Sequence, residues 1–159
     1  MSEVADRVDT NFRRVGMADL TTLLPLVTKR LQERRPHVQL GAVLGWLRGC
    51  VLSNEMWFVM SEQAVALAQI MREPLEQQPF AIEHFVFVRP LPGTSAAAVD
   101  AVDEAAGLYV PMCKWAANMN CSRLEVDRNT DVPRTDIRMR VGKVGTRTVA
   151  HISLGRVDQ

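Results

Sequence analysis

The segment Phe80-Ala81-Ile82-Glu83-His84-Phe85-Val86-Phe87-Val88 constrains this chain more than any other stretch. Aromatic and β-branched residues over this length predict a strand, and near-continuous apolarity implies cover on both faces. The strand empties through Arg89-Pro90-Leu91-Pro92-Gly93-Thr94-Ser95 into an alanine-rich amphipathic run, Ala96–Tyr109. Thr94 or Ser95 can cap that helix. A strand leading through a tight loop into a helix aims backbone N–H groups at its exit, the arrangement by which helix N-termini hold phosphate. Pro92 removes one such donor, and Asp100, Asp103 and Glu104 bring negative charge to the N-terminal half of the helix.

With 159 residues, 47% of them hydrophobic, the chain can bury one sizeable core. The reading is a flexible segment over 1–10 followed by a single domain over 11–159. A net charge of +1 gives no strong nucleic-acid signal, since phosphate-backbone binding needs a dense basic surface. The doublets Arg13-Arg14 and Arg34-Arg35 are expected on solvated faces. Cys50, Cys113 and Cys121 lack a metal-binding spacing and are expected as free, buried or half-buried thiols, with no metal site. Ser2–Arg14 has no apolar segment of a secretory leader, and no stretch suits a bilayer. A reducing, cytoplasmic setting follows.

Along the chain, Asn11–Val15 reads as a short strand. Leu20, Leu23, Leu24, Val27 and Leu31 fall on one face of a helix over Leu20–Arg34, with Asp19 as its cap or first-turn acid and Pro25 as a kink or a later start. Val38–Leu52 reads as a second helix. Met56–Met60 and Ala64–Ile70 form a hairpin through Ser61-Glu62, although Ala64–Met71 also suits a helix. After the Phe80–Val88 strand, Pro111 is expected to kink or end the following helix, leaving Met112–Met119 as a further piece. Ser122–Val126 is a strand, Arg134–Val141 a short helix, and Thr146–Leu154 the last strand. The result is a mixed α/β domain.

This order resembles the GCN5-related N-acetyltransferase (GNAT) family over roughly Asn11–Leu154. Leu124-Glu125-Val126-Asp127-Arg128-Asn129 resembles the family's fifth strand and its following asparagine. Arg140-Val141-Gly142-Lys143-Val144-Gly145-Thr146 resembles its Leu-Gly-Phe turn. The resemblance implies a mostly antiparallel central sheet flanked by helices, and acetyl-CoA or another acyl-CoA as the donor. In that family a loop of the form Arg/Gln-x-x-Gly-x-Gly/Ala cradles the coenzyme pyrophosphate; Pro90-Leu91-Pro92-Gly93-Thr94-Ser95 stands in its place. Gly93 matches the first glycine and Ser95 the second small position. Pro90 departs from Arg/Gln, and Arg89 can compensate. The loop has two readings, retained coenzyme site or structural turn.

Acyl transfer to an amine needs a proton acceptor and stabilisation of developing negative charge. The resemblance points to Glu83 as the base, against a solvent-facing carboxylate, and to main-chain groups near Phe87 and Val88 as donors to the acyl compound. His84 falls on the opposite face of a regular strand. Asn129 can orient the donor's arm or simply make a turn. Counting back from Gly142 places Arg138 where the family often carries a tyrosine acid; arginine can pair with phosphate there but cannot serve as that acid. Tyr109 can take over only if the fold turns it inward. Trp46, Trp57 and Trp115 can line an acceptor pocket, an interface or the core.

Two classes of function follow. One is an acyl-CoA-dependent N-acyltransferase, or an acyl-CoA binder of weak or no activity, acting on an amine. The other is a noncatalytic protein for partner binding or assembly, since similar degenerate acetyltransferase-like proteins occur among bacteriophage virion components. That second class implies host cytoplasm or virion as the location, and exposure of Trp46, Trp57 and Tyr109 in one patch would favour it. A homodimer is compatible with either.

Overall fold

A computed structural model describes residues 11–89, 99–126 and 150–153. The chain runs β1 (Arg13–Arg14), a 3-10 turn (Met17–Asp19), α1 (Leu20–Gln32), α2 (Leu40–Leu52), β2 (Met56–Met60), β3 (Ala64–Met71) and β4 (Phe80–Val88). It continues with α3 (Val99–Gly107), α4 (Tyr109–Asn118), β5 (Arg123–Val126) and β6 (Ala150–Ser153). The strands form one sheet in sequence order. Neighbours are antiparallel except β4 and β5, which are parallel. The fold class expected from sequence, a mixed α/β domain with a mostly antiparallel sheet flanked by helices, is the one observed.

Each face of the sheet has its own core. Met56, Phe58, Val65, Leu67, Phe85 and Phe87 meet Leu23 and Val27 of α1 and Val43 and Leu47 of α2. On the other face Val59, Ala66, Ala68, Ala81 and Val86 meet Ala105, Tyr109, Met112 and Ala116. Small alanines on that face let α3 and α4 sit close to the sheet. Every residue of β2 is buried, as two-sided cover requires, and each fully buried Leu or Phe contributes about 1.5–3 kcal/mol.

Polar side chains fix the joints. Arg14 donates to the carbonyls of Val51 and Ser53 at the end of α2, and to Met56, placing positive charge at the helix's negative pole. Glu104 of α3 accepts from Ser61 Oγ at 2.7 Å and Gln63 N at 2.6 Å, which ties α3 to the β2–β3 turn. The end of α4 is a Schellman motif: Asn120 has φ 63°, its N–H donates to Ala117 O, and Cys121 N–H donates to Ala116 O. Asparagine tolerates this left-handed conformation.

Three local expectations change. Asp19 does not cap α1 through its side chain; it accepts from Gly16 N–H and pairs with Arg13 at 2.7 Å. The helix after the central strand breaks at Leu108 rather than at Pro111. Pro111 cannot donate to the Gly107 carbonyl and crowds it, so the interruption falls one turn earlier and the proline sits in the first turn of α4, where an N–H has no intrahelical partner. Pro25 lies inside α1, which starts at Leu20 and not after the proline. The start 1–10 and the Arg134–Val141 helix lie outside the described residues.

Candidate functional site

The site grows from an irregularity in β4. Pairing with β3 steps from Leu67↔Phe85 to Ala68↔Glu83, leaving His84 as an extra residue. Such a bulge re-aims side chains. His84 and Phe85 therefore both face α1 and α2, where His84 meets Trp46 edge to face at 5.0 Å and Phe85 joins the core. Glu83 and Val86 face α3 and α4. Glu83 and His84 thus lie on opposite faces, as the strand pattern implied, although the strand is not regular.

At the same place β4 parts from β5. The parallel pair is joined at Ala81↔Leu124 and Ile82↔Glu125, and among the described residues the pairing goes no further. From Glu83 to Val88 the strand continues against β3. Alternation within a strand turns part of its N–H and C=O groups away from β3, toward the diverging side. Phe87 packs its ring on Phe85 at 5.3 Å, and Val88 packs against the opposite core. Both residues can therefore serve a ligand only through main chain.

Glu83 is 9% exposed, which replaces the expectation of a solvent-facing carboxylate with a buried one. Tyr109, completely buried, donates its hydroxyl to Glu83 Oε1 at 2.9 Å. A buried carboxylate needs such a donor. The break at Leu108 is what starts α4 at Tyr109 and turns its ring toward the sheet. Below it, burial and then the Glu83 charge push the Cys113 thiol up to about 12. Burial likewise raises Cys50 to about 11, so these thiols are poor nucleophiles.

On the α1–α2 side lies a cavity of about 500 Å³. Its wall includes Glu83, His84, Trp46 and Val38, with Arg30, Arg34 and Arg35 from the end of α1 and the turn beyond it. His84 Nε2 is 2.7 Å from Gln69 Oε1; an amide oxygen only accepts, so Nε2 carries the hydrogen. Burial, followed by the charge of Arg35, brings His84 down to about 4. It is neutral at pH 7.

Arg89 lines a second recess of about 320 Å³ with Asn11, Phe12, Arg13, Met60, Ser61 and Glu62. Its backbone N–H donates to Gln63 O at 2.8 Å, while its buried Nε has no hydrogen-bond partner among the described residues. A donor of this kind fits a phosphate oxygen. Glu104, expected to repel an anion, instead spends its carboxylate on the β2–β3 turn, and Asp103 is exposed. The residues present are thus compatible with an acyl-CoA. Gly93, Thr94, Ser95, Asn129 and Arg138 lie outside the described residues.

Sequence reasoning missed the cavity arginines and Gln69. Arg30 and Arg34 are one helical turn apart, a spacing that brings side chains together; the apolar register of α1 drew attention to the other face. The exposed aromatic patch is not formed, because Trp57 and Tyr109 are buried.

Among solved structures, the chain is similar to a protein from Arthrobacter sp. FB24 assigned as an acetyltransferase, with TM-score 0.60, 15% identity and cover of 94% of this chain and 95% of that one. The fold is GNAT-like. A second similar structure is the aminoglycoside N-acetyltransferase AAC(6')-Iy in complex with CoA, with TM-score 0.51, 17% identity, and cover of 86% of this chain and 90% of that one. No protein-family model and no curated protein matches the sequence. In this GNAT-like sheet, Glu83 and the cavity stand at the point where the parallel strands part. Among the described residues, no helix is long and apolar enough to cross a membrane.

Proposed function

We propose that this protein is an acyl-CoA-dependent N-acyltransferase, with acetyl-CoA as its first donor and an amine as acceptor. The observation that carries the reading is the parting of β4 from β5 immediately before the buried Glu83, beside a cavity large enough for a small acceptor. The donor supplies an activated acyl thioester. Main-chain groups of Phe87 and Val88 orient it, and Arg89 and the Gly93-Thr94-Ser95 loop hold its phosphates. The family resemblance assigns Asn129 to the donor's arm, and Arg138, at the position of the family's tyrosine, can pair with a phosphate.

Glu83 receives the amine's proton, directly or through one water. Tyr109 fixes Oε1 on the α3–α4 side of the sheet, so one oxygen is held and the group cannot swing freely, and Glu83 is also one of the residues that border the cavity. His84, neutral and bonded to Gln69, shapes the acceptor side of the strand. The virion or assembly reading, with its bacteriophage origin and protein partner, lacks the exposed patch of Trp46, Trp57 and Tyr109 that would favour it. A homodimer remains compatible with the transferase.

Thiol release from acetyl-CoA, followed over a panel of amines, tests the proposal. A productive amine should appear, and Glu83→Gln should lower kcat by about 10²-fold or more while coenzyme affinity changes little. Equal turnover by Glu83→Gln removes Glu83 as base. Absence of thiol release with every amine class removes the transferase reading.

A further inference from the structure

His84 borders the α1–α2 cavity and is half-buried. Its ring is held from two directions. Nε2 lies 2.7 Å from Gln69 Oε1 on β3, and Trp46 of α2 meets the ring edge to face at 5.0 Å. The ring is neutral at pH 7, so one of its nitrogens carries hydrogen and the other does not. The amide oxygen only accepts, which keeps the hydrogen on Nε2 and leaves Nδ1 with a bare lone pair. Nδ1 makes no hydrogen bond among the described residues, and it is not one of the orphaned atoms sealed by burial. An accessible acceptor on the wall of a cavity, held at a fixed orientation and unused by the fold, is a place for a donor.

We propose, building on the transferase reading, that His84 Nδ1 seats the acceptor, taking one N–H of a primary amine whose apolar body lies along Trp46. Gln69 is a positioning residue, acting through the tautomer it imposes on His84. A primary amine brings two N–H groups and one lone pair. One N–H goes to Nδ1. The lone pair forms the N–C bond at the thioester carbonyl, and the thiolate leaves with the electron pair of the C–S bond. The second hydrogen leaves as the proton that Glu83 receives, so the amide product keeps the N–H on Nδ1. A secondary amine has a single N–H, which the reaction consumes, and it loses the contact with Nδ1 during the step. Val38, Val43 and Phe85 extend the apolar wall, and a cavity of about 500 Å³ admits a phenyl ring beside the amine.

The test is nitrogen NMR of the full chain labelled at histidine, since a ring nitrogen's signal reports whether it carries hydrogen. In the parent, His84 should show hydrogen on Nε2 and none on Nδ1. Benzylamine should move the Nδ1 signal and leave Nε2 protonated. Methylamine, which lacks the apolar body, should bind about tenfold or more weakly. Two variants separate the ring nitrogens, because asparagine Oδ1 stands where Nδ1 does and the end of glutamine reaches the place of Nε2. By calorimetry, His84→Asn should bind benzylamine within about twofold of the parent, whereas His84→Gln should bind it about fivefold or more weakly. Gln69→Leu should weaken binding similarly and let hydrogen appear on Nδ1. In thiol release, N-methylbenzylamine should turn over about fivefold or more slowly than benzylamine, the loss of one hydrogen bond.

Hydrogen on Nδ1 in the parent overturns the inference, as does an Nδ1 signal unmoved by benzylamine at millimolar concentration. Both are read on the parent and hold whether or not a variant folds. Equal affinity of His84→Gln and the parent also overturns it, as does equal turnover of N-methylbenzylamine and benzylamine. The two readings separate cleanly. A protein whose Nδ1 responds to benzylamine but that releases no thiol from acetyl-CoA keeps the amine seat and loses the transferase. One that acetylates benzylamine equally well with His84→Gln keeps the transferase and loses the seat.

Discussion

Tyr109 and Glu83 are joined by a 2.9 Å hydrogen bond between the first residue of α4 and the bulged stretch of β4. Both side chains are buried, so the contact fixes the helix to the sheet and the carboxylate to one orientation. The bond depends on two interruptions of regular structure. The bulge puts His84 and Phe85 on one face, so that Glu83 shares the other with Val86, and the break before α4 brings Tyr109 over the strand.

Tyr109→Phe should lower stability by about 1.5–3 kcal/mol, the scale of a hydrogen bond to a charged group, with the aromatic packing kept. Chemical denaturation of the variant and parent checks this. A midpoint unchanged at equal slope contradicts the contact's importance.

His84 makes stability depend on pH in a defined window. Its value is about 4 in the fold against 6.5 when unperturbed, chiefly through burial and then through Arg35. Between these values the unfolded chain binds more protons, so stability rises with pH there. The contribution is complete above about pH 6.5 and is lost as pH falls toward about 4, amounting to roughly 3 kcal/mol. Denaturation midpoints across that range should slope less steeply in His84→Gln than in the parent. Parallel profiles contradict the assignment.

Gly45 lies on the exposed face of α2, and a Cβ built there meets nothing within 4 Å. Gly45→Ala should therefore stabilise the protein by about 0.5–1 kcal/mol, because alanine restricts the unfolded chain and favours the helix. Thermal unfolding reads the effect. A lower midpoint means that the face is covered by something in solution.

Much of the sheet was legible because its strands are buried on both faces. Met56–Met60 and Phe80–Val88 carry enough apolar and aromatic residues that their limits coincide with those of β2 and β4. The bulge was not legible, since it exists only in the register between Leu67-Ala68 and Glu83–Phe85, and one strand's sequence does not contain its partner's. For the same reason Tyr109 read as a packing residue. Its partner lies 26 positions away, and the turn that aims it comes from Pro111 crowding Gly107. Glu83 was recognisable through the family resemblance, whereas its burial required the helices on top of it.

The most direct measurement is a calorimetric titration of the folded chain with acetyl-CoA. The account predicts saturable binding that Gly93→Trp abolishes and Arg89→Ala weakens, with both variants folded by circular dichroism. Heats no larger than dilution at millimolar acetyl-CoA contradict it, because the parting of β4 and β5 then holds no acyl donor.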